Sequence, residues 1–459
     1  MILHDNAIKL SYNYLSINDN KMQLSILKNT FRVFNSLNFN VKLVFGYSFF
    51  QSLGRGIWMG NVLSSWIYLI ANESNVLLGL TSAITGLAMT ITVLPAGFLT
   101  DKVKRHTVLR FATIFGFIGL LLAVLAQNIE VIFLALLFWG LFQGINRPSV
   151  ESLFADSVES GNRSQIYAWA HLTRQFGEAI GPFLNISLFI LLGDIWDVNI
   201  LKIVMIFGIL LSMISIVVLL FFNDNKSLGT ASEHLQMETN NNLNSSEVSI
   251  QNFHQKTRIQ PNQLIIIILL LSNLIIGCGA GMTIKFFPIF FMKIYLFTPI
   301  FVQLIMGSTA ILTGITSIFA QRFSIKRGRA KMIFLVQGIA TLCLFIIAFY
   351  PPALVLLPIF LARGSLMNAS QPLSRSILMD VVPKKHRGKV NSLQALAWGL
   401  FWNVSAALGG FLIGDNNNFR LCFLITTIIY VIGTVPVLVL IPLVAKEKKS
   451  EVVQIFDEI

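Results

Sequence analysis

Long apolar segments dominate this chain and limit what it can fold into. About 20 consecutive apolar residues let an α-helix cross the hydrocarbon core of a membrane, and stretches of that length recur from Val41 to Val444 with short polar breaks. Only 12% of the residues are charged and 55% are hydrophobic, too few polar side chains to cover a water-soluble surface. The runs are continuous rather than alternating, which excludes a β-barrel. The sequence therefore predicts an all-α polytopic protein embedded in a lipid bilayer.

The polar breaks divide the apolar sequence into two groups of six predicted transmembrane helices. The twelve runs cover residues 43–70, 76–99, 107–127, 131–155, 166–193, 200–222, 264–292, 300–320, 331–350, 353–379, 390–414 and 420–444. Between the groups, the sequence is rich in Asn, Ser, Gln and charge and cannot bury a core, so it is predicted to be a flexible linker. The expected segments are a cytoplasmic tail (1–42), a six-helix bundle (43–222), the linker (223–263), a second six-helix bundle (264–444) and a second cytoplasmic tail (445–459).

Basic residues are distributed unevenly along the chain, which explains the net charge of +13 without a nucleic-acid partner. Of the 34 Lys and Arg residues, 25 fall in segments that are cytoplasmic if the N-terminus is cytoplasmic. The opposite loops hold only Lys202, Lys293 and Arg420. Because positive charge marks the cytoplasmic side, both termini and the linker are predicted to be cytoplasmic. Whether the protein lies in the plasma membrane or an organelle membrane is left open.

The two halves are related by an internal repeat at an offset of 224 residues. The matched pairs are Arg105 with Arg329, Gly140 with Gly364, Pro148 with Pro372, Ser152 with Ser376, Asp156 with Asp380, Val158 with Val382, and Arg163 with Arg387. Most of these pairs lie at the end of the fourth span of each half and in the loop after it, so the halves are expected to be parallel. Two parallel repeats with a site between them are the arrangement of a transporter that rocks one half against the other.

The loop after the second span, GFLTDKVKRH, resembles the signature of the major facilitator superfamily between helices two and three. Gly97, Asp101, Lys102 and Arg105 stand at matching positions, whereas Lys104 replaces the usual glycine. In the second half, QRFSIKRGRAK keeps the glycine and arginine but has isoleucine in place of the acid. The loops ADSVESGNR and MDVVPKKHRG are similar to the paired motif of sugar-porter branches. The resemblance covers nearly the whole chain and implies the two-bundle fold of this superfamily, with helices one, four, seven and ten around a central cavity.

These motifs predict a gate at the cytoplasmic edge. Asp101, at the end of span two, is expected to pair with the positive N-terminus of span eleven and hold the inner gate shut. The alternative is that the charges are only interfacial anchors. The predicted gating residues are Gly97, Asp101, Lys102, Arg105, Asp156, Arg163, Gly328, Arg329, Asp380 and Arg387.

Charged residues inside the spans predict the lining of the cavity, because an ionisable group at membrane depth needs a cavity or a partner. Spans one, four, five, seven and ten carry such groups, whereas three, six, nine and twelve do not. The deep charges counted here are Arg55, Arg147, Arg174, Lys285 and Arg363 against Glu151 and Glu178, a positive surplus that favours an anion. The predicted substrate-binding set is Gln51, Arg55, Arg147, Lys285, Arg363, Trp398 and Trp402. The two tryptophans either stack on an organic substrate or only pack.

Span five carries a polar stripe on an otherwise apolar helix. His171, Arg174 and Glu178 fall on one face at i, i+3 and i+7. One interpretation is an Arg174–Glu178 pair at i,i+4 that neutralises itself; the other is that Glu178, with His171, binds a transported proton. The helix-five motif Gly177, Gly181 and Pro182 is similar to that of proton-coupled drug antiporters, although Asn185 stands where their motif has glycine.

Taken together, these patterns predict secondary active transport of a small organic, anionic solute by alternating access. Coupling to protons and exchange for a counter-anion are both open. The alternatives are a proton-driven exporter of lipophilic or cationic compounds and a non-transporting receptor or scaffold. No metal-ligand cluster, nucleophile elbow or phosphate-binding loop is recognisable, so no enzyme activity, metal or cofactor is expected. The protein is expected to be monomeric.

Overall fold

The computed structural model describes residues 36–158, 163–228, 261–382 and 387–444, without the side chains of Asp101, Pro261, Met379, 163–165 and 387–398. The described residues form helices joined by short loops. The helices are α1 (Phe39–Trp58), α2 (Asn61–Ile70), α3 (Asn75–Lys102), α4 (Arg105–Leu125), α5 (Ile129–Ala155), α6 (Arg163–Leu192), α7 (Val198–Leu219), α8 (Pro261–Ile284), α9 (Phe287–Ile294), α10 (Pro299–Arg327), α11 (Arg329–Ile347), α12 (Ala353–Val381), α13 (Arg387–Ile413) and α14 (Phe419–Thr434).

The two ends of the molecule are distinguished by the direction of the helices. We call the end at which α1, α6, α8 and α13 begin the linker end, and the end at which α3, α5, α7 and α10 begin the far end. Four of the helices that start at the far end, α3, α5, α7 and α14, are capped by polar side chains. Ser74 accepts from the amide of Leu77 at the start of α3, and Asn128 accepts from that of Val131 at the start of α5. Such caps satisfy amides that have no partner within the helix and thereby fix where each helix begins.

The first helix of each half is interrupted at a similar depth. A turn at Met59 and Gly60 separates α1 from α2, and a turn at Lys285 and Phe286 separates α8 from α9. Pro288 lies in the first turn of α9, where its missing amide hydrogen costs no hydrogen bond. The sequence predicted one span at each of these places, residues 43–70 and 264–292, with Pro288 as a residue that can break the second. The interruptions free backbone groups towards the middle of the membrane, which is tolerated where the chain lines a cavity.

Ten of the described helical segments are long and apolar enough to cross a membrane. The remaining two predicted spans are represented by shorter apolar helices, Asn61–Ile70 and Gly399–Ile413. Span one falls short because its helix is broken, and span eleven because the side chains of 387–398 lie outside the description. The protein is an integral, multi-pass membrane protein, and the all-α class predicted from the sequence is confirmed.

The helices form two bundles, α1–α7 and α8–α14. In the first, α1 packs on α6 and α7, and α5 packs on α3 and α4; in the second, α8 packs on α13 and α14, and α12 packs on α10 and α11. The bundles meet chiefly through α3 with α13 and α6 with α10. These contacts leave α1, α5, α8 and α12 to face each other across the centre.

The glycine motif of span five is a helix-packing site. A β-carbon built on Gly181 would lie 2.6 Å from the Cα of Gly56 on α1, and one built on Gly177 would lie 3.1 Å from the carbonyl oxygen of Phe49. Small residues at such a crossing let two membrane helices approach closely. The motif therefore sets the distance between α1 and α6, which both carry charged residues of the cavity.

We expect Gly181→Val to destabilise the first bundle by about 2–3 kcal/mol, because the added side chain has only backbone to displace. Thermal unfolding of the purified protein in detergent measures this loss. Gly46→Ala on α1 is the control, since a β-carbon there would have no neighbour within 4 Å. Equal stability of both variants and the parent would contradict the packing role.

Candidate functional site

The far end is closed by hydrogen bonds between the two bundles. The side-chain amide of Asn75, at the start of α3, donates to the carbonyl oxygen of Gly414 and to Oδ1 of Asn417, both at 2.9 Å. The hydroxyl of Tyr68 donates to the same Oδ1 at 3.2 Å. Asn75 is completely buried. These bonds join α2 and α3 to the loop between α13 and α14.

Further cross-bundle contacts lie at the same end. Lys293 and Glu73 form an ion pair at 2.5 Å. The indole nitrogen of Trp196 donates to the carbonyl oxygen of Phe297 at 2.7 Å, and the carboxylate of Asp194 accepts from the amide of Ile300 at 2.8 Å. We refer to these contacts, together with those of Asn75 and Tyr68, as the far-end lock.

Close packing of α3 on α13 extends the closed region towards the centre. A β-carbon on Gly79 would lie 3.0 Å from the Cα of Ala407 and closer still to the carbonyl of Ala406. Further along, Gly86 of α3 lies against the side chain of Asn403. At both positions a side chain on α3 would collide with α13, so glycine is needed there. The two helices are therefore in close contact over the far half of their length.

The linker half of α6 is exposed on most of its circumference. Six of the eight residues from His171 to Glu178 are exposed, including Phe176 at 64%. A helix packed between lipid and a closed protein interior would show only one exposed stripe. The pattern therefore indicates that α6 borders lipid on one side and an open cavity on the other. Together with the far-end lock, this exposure indicates a cavity that is closed at the far end and open at the linker end.

Three arginines of the first bundle are exposed towards this cavity. Arg55 of α1, Arg147 of α5 and Arg174 of α6 lie within electrostatic range of one another. Nη1 of Arg174 lies 3.2 Å from Oε1 of Glu151 on α5. Tyr47 of α1 is buried and hydrogen-bonded to Asn146. It is close enough to Arg55, Arg174 and Glu151 to interact with them electrostatically. Sequence reasoning missed Tyr47, although it stands eight residues before Arg55 on the same face of α1.

Lys285 lies at the break between α8 and α9 and is half-buried. It lines a pocket with Asn403 of α13 and with residues of α2 and α3, including Ser64 and Ser82; the empty space there is about 310 Å³, part of it open to solvent. Arg55 is close enough to interact with Lys285 electrostatically. The cationic residues of the two bundles thus meet near the middle of the molecule.

Arg375 of α12 is a further cation that the predicted site omitted. It is exposed, as are Gln371 one turn earlier and Asn368 two turns earlier, and together they form a polar stripe on α12. His171 of α6 interacts electrostatically with both Arg375 and Arg174, which places Arg375 opposite the first bundle. The i, i+3, i+7 spacing could have revealed it, as it revealed the stripe on α6. By the repeat offset of 224, Arg375 occupies the position of Glu151.

Two residues of the predicted cavity set are buried among the helices of their own bundles. Gln51 is 6% exposed, and its Oε1 accepts from the hydroxyl of Ser215 at 2.6 Å, so it joins α1 to α7. Arg363 is 4% exposed and lies within the second bundle, where Nη2 donates to the hydroxyl of Tyr430 at 3.0 Å. Both side chains find polar partners on neighbouring helices, and their predicted role in substrate binding stays a prediction. Trp402 lines a pocket beside Arg363, and the side chain of Trp398 lies outside the described residues.

Arg174 of span five does not form the predicted ion pair with Glu178. Arg174 contacts Glu151, a residue of another helix, rather than Glu178. Glu178 is exposed, and among the described residues it forms no ion pair within 4.0 Å. The acid and His171 therefore both face the cavity without a salt-bridge partner in the described part of the chain.

The motif residues form an equivalent arginine–aspartate ion pair in each half, which we call a clamp. Arg105 pairs with Asp156, joining the start of α4 to the end of α5. Arg329 pairs with Asp380 at 2.6 Å, and it also donates to Ser376. The two clamps are related by the repeat offset of 224.

The other predicted gating positions contribute less to this picture. Gly328 ends α10 with a φ of 93°, a conformation that favours glycine, and Gly97 has space around it. Lys102 is exposed. The side chains of Asp101, Arg163 and Arg387 lie outside the description, so the predicted Asp101 latch stays a prediction.

No group of three or more His, Cys, Asp and Glu side chains that could hold a metal ion occurs within the described ranges. The side chains described above offer positive charge and hydrogen-bond donors and acceptors to a bound solute.

Two six-helix repeats around a charged central cavity, closed at one end, define a membrane protein of the transporter class. The sequence profile of the Major Facilitator Superfamily matches residues 44–270 and 269–455, and the chain belongs to this superfamily. This match confirms the resemblance seen in the sequence motifs. No curated protein matches the chain.

Several solved transporters share the fold at low sequence identity. A bacterial homolog of the human lysosomal transporter Spinster, in an inward-facing and occupied conformation, matches with a TM-score of 0.67 and 13% identity, over 90% of this chain and 97% of that chain. A bacterial homologue of the iron transporter ferroportin in its inward-facing state matches with a TM-score of 0.65 and 14% identity, over 88% and 98%. The nucleoside transporter NupG matches with a TM-score of 0.64 and 13% identity, over 87% and 98%.

Proposed function

We propose that this protein is a secondary active transporter that carries a small organic or phosphorylated anion by alternating access. The observation that carries the proposal is the cationic lining of the cavity. Arg55, Arg147, Arg174, Lys285 and Arg375 face it from both bundles, with Glu151 and Glu178 as the acids. Uncompensated cations at membrane depth are costly and are retained where a substrate or ion uses them.

Alternating access is supported by the asymmetry between the two ends. The far-end lock closes one end, and the exposed half of α6 borders an opening at the other. The ferroportin homologue also points this way, because its inward-facing state matches with a TM-score of 0.65 and its outward-facing state with 0.56. With the charge bias of the loops, we infer that the linker end and both termini are cytoplasmic and that the protein is captured facing inward.

Proton coupling is supported by Glu178 and His171. Both face the cavity on α6, and the neighbouring Arg174 is engaged by Glu151. A carboxylate in this position can take up a proton when the cavity faces one side and release it when the cavity faces the other. Exchange for a counter-anion needs no such group, so the two forms of coupling make different predictions for Glu178.

The substrate class is tested by thermal stability of the purified protein against matched panels of organic anions, neutral solutes and lipophilic cations. A ligand at about 100 times its Kd adds roughly 2.7 kcal/mol to stability. We expect stabilisation by one class of anions, lost in Arg55→Gln and Arg147→Gln. The control is Lys326→Gln, which removes an exposed charge at the linker end of α10.

Other outcomes assign the protein differently. Stabilisation by lipophilic cations, lost in Glu178→Gln, would overturn the anion proposal in favour of the exporter. Anion binding without uptake or efflux in proteoliposomes would identify the protein as a receptor with a transporter fold.

A further inference from the structure

A pocket lies within the second bundle, where it is lined by residues of α8, α11, α12, α13 and α14. Its empty space is about 420 Å³, part of it open to solvent. Asn368 and Gln371, both exposed on the polar stripe of α12, lie at its mouth, whereas Arg363 and Tyr430 are buried at its base. Trp402 of α13 lines one wall. The pocket is therefore reached from the cavity that the proposed function assigns to the substrate.

Arg363 is a buried cation without a compensating anion. No carboxylate lies within 4.0 Å of it in residues 36–158, 163–228, 261–382 or 399–444. Its guanidinium is held by the Tyr430 hydroxyl and lies 4.8 Å from the ring centroid of Phe287. Aromatic faces reduce the cost of a desolvated cation but do not neutralise its charge. A buried charge of this kind is expected to have an anionic partner in at least one functional state.

The pocket also holds an unused donor and an unused acceptor. Nε of Arg363 is buried and has no hydrogen-bond partner, and neither has Oε1 of Gln337. The amide nitrogen of Gln337 is fixed by a hydrogen bond to Ser370 at 3.1 Å, which determines which end of the amide remains free. Buried polar atoms are nearly always paired, so two unpaired ones in one pocket predict a ligand that satisfies both.

We propose that this pocket binds the carboxylate of a small acid that carries a hydroxyl beside it. The carboxylate accepts from Nε of Arg363, and the neighbouring hydroxyl donates to Oε1 of Gln337. This inference rests on the proposed function and deepens it by naming the substrate class. The cationic residues of the first bundle then attract the anion, and the pocket in the second bundle selects it.

The probes are lactate, propionate and propionamide, which share one three-carbon skeleton. Lactate offers both groups, propionate lacks the hydroxyl, and propionamide lacks the charge. From thermal shift titrations of the intact protein, we expect the Kd of propionate to be about threefold or more above that of lactate, and that of propionamide about tenfold or more above that of propionate.

Two pocket variants test the assigned partners. Gln337→Leu is expected to raise the Kd of lactate to that of propionate. Arg363→Met is expected to abolish the preference for a carboxylate, and also to raise the Tm of the ligand-free protein, because an uncompensated buried charge is removed. Arg363→Lys keeps the charge and provides a second test if the methionine variant does not fold; its expected result is a preserved preference for propionate over propionamide with weaker binding.

The outcomes separate this inference from the proposed function. If anions stabilise the protein and Arg55→Gln weakens them, but lactate binds Arg363→Met and Arg363→Lys as tightly as the parent, only the pocket assignment is overturned. Equal affinities of lactate and propionate in the parent would overturn the role of Gln337. If no anion of any class stabilises the parent, both proposals are wrong.

Discussion

Replacing Gly79 by valine is expected to shift the resting population of this transporter towards a state open at the far end, by about tenfold to a hundredfold. The valine side chain would meet the backbone of Ala406 and Ala407 on α13, which cannot move aside as a flexible side chain can. Overpacking of this kind costs about 1–3 kcal/mol, and about 1.4 kcal/mol is a tenfold change in a conformational equilibrium. The cost falls only on the state in which α3 and α13 touch.

Cysteine labelling measures this shift. Ser82 lines the central cavity beyond the far-end lock and is 4% exposed. In a background without the three native cysteines, Ser82→Cys is expected to react faster with a membrane-impermeant maleimide added at the far side when Gly79→Val is present. Gly314→Val on α10 is the control, because a β-carbon there would have no neighbour within 4 Å. If Gly79→Val leaves the labelling rate unchanged, the α3–α13 contact does not hold the far end closed.

The second large effect is expected for Glu178→Gln. If Glu178 carries the coupled proton, the glutamine variant cannot titrate, and substrate accumulation driven by a pH gradient should fall by tenfold or more. Exchange of labelled for unlabelled substrate across the same membrane needs no net proton movement and should persist. Substrate accumulation and substrate exchange are both measured in proteoliposomes, with and without the pH gradient.

Glu130→Gln serves as the matched control for this measurement. Glu130 is an exposed acid in the first turn of α5 at the far end, well away from the cavity. Full pH-driven accumulation in Glu178→Gln would show that the acid is not the proton carrier and would favour exchange for a counter-anion. Loss of both accumulation and exchange would assign Glu178 to substrate binding or to structure.

The membrane fold was predictable because its signal is local. Each apolar run is a property of neighbouring residues, and the offset of 224 relates the two halves without any knowledge of contacts. The interruption at Met59 and Gly60 was not predictable, since no proline marks it. The corresponding break at Lys285 and Phe286 had a visible cause in Pro288, but its position relative to the proline could only be seen in the structure.

The candidate site was only partly predictable, because a sequence shows which residues are charged but not what they contact. Arg174 and Glu178 are favourably spaced on one helix, yet Arg174 pairs with Glu151 across α5 and α6. From the sequence alone, Arg363 and Arg55 were both predicted to be charged residues of the cavity. The position of Arg363 behind Tyr430 depends on how α12 and α14 pack, which no spacing along one helix can reveal.

The paired interruptions near Gly60 and Lys285 give the outer parts of the first helix in each half some mechanical independence. The short helices beyond them, α2 and α9, contact each other across the two bundles and carry Tyr68 and Lys293 of the far-end lock. Each is joined to α1 or α8 by a two-residue turn, so we expect it to tilt while those helices stay in place. If the proposed alternating access operates, we expect entry from the far side to begin with this tilting, because local motion of two short segments is smaller and faster than domain rearrangement. Such a pair of hinges would let α2 and α9 close over a bound solute. The solute would then be held in an occluded state, accessible from neither compartment, before the slower step that exposes it on the other side.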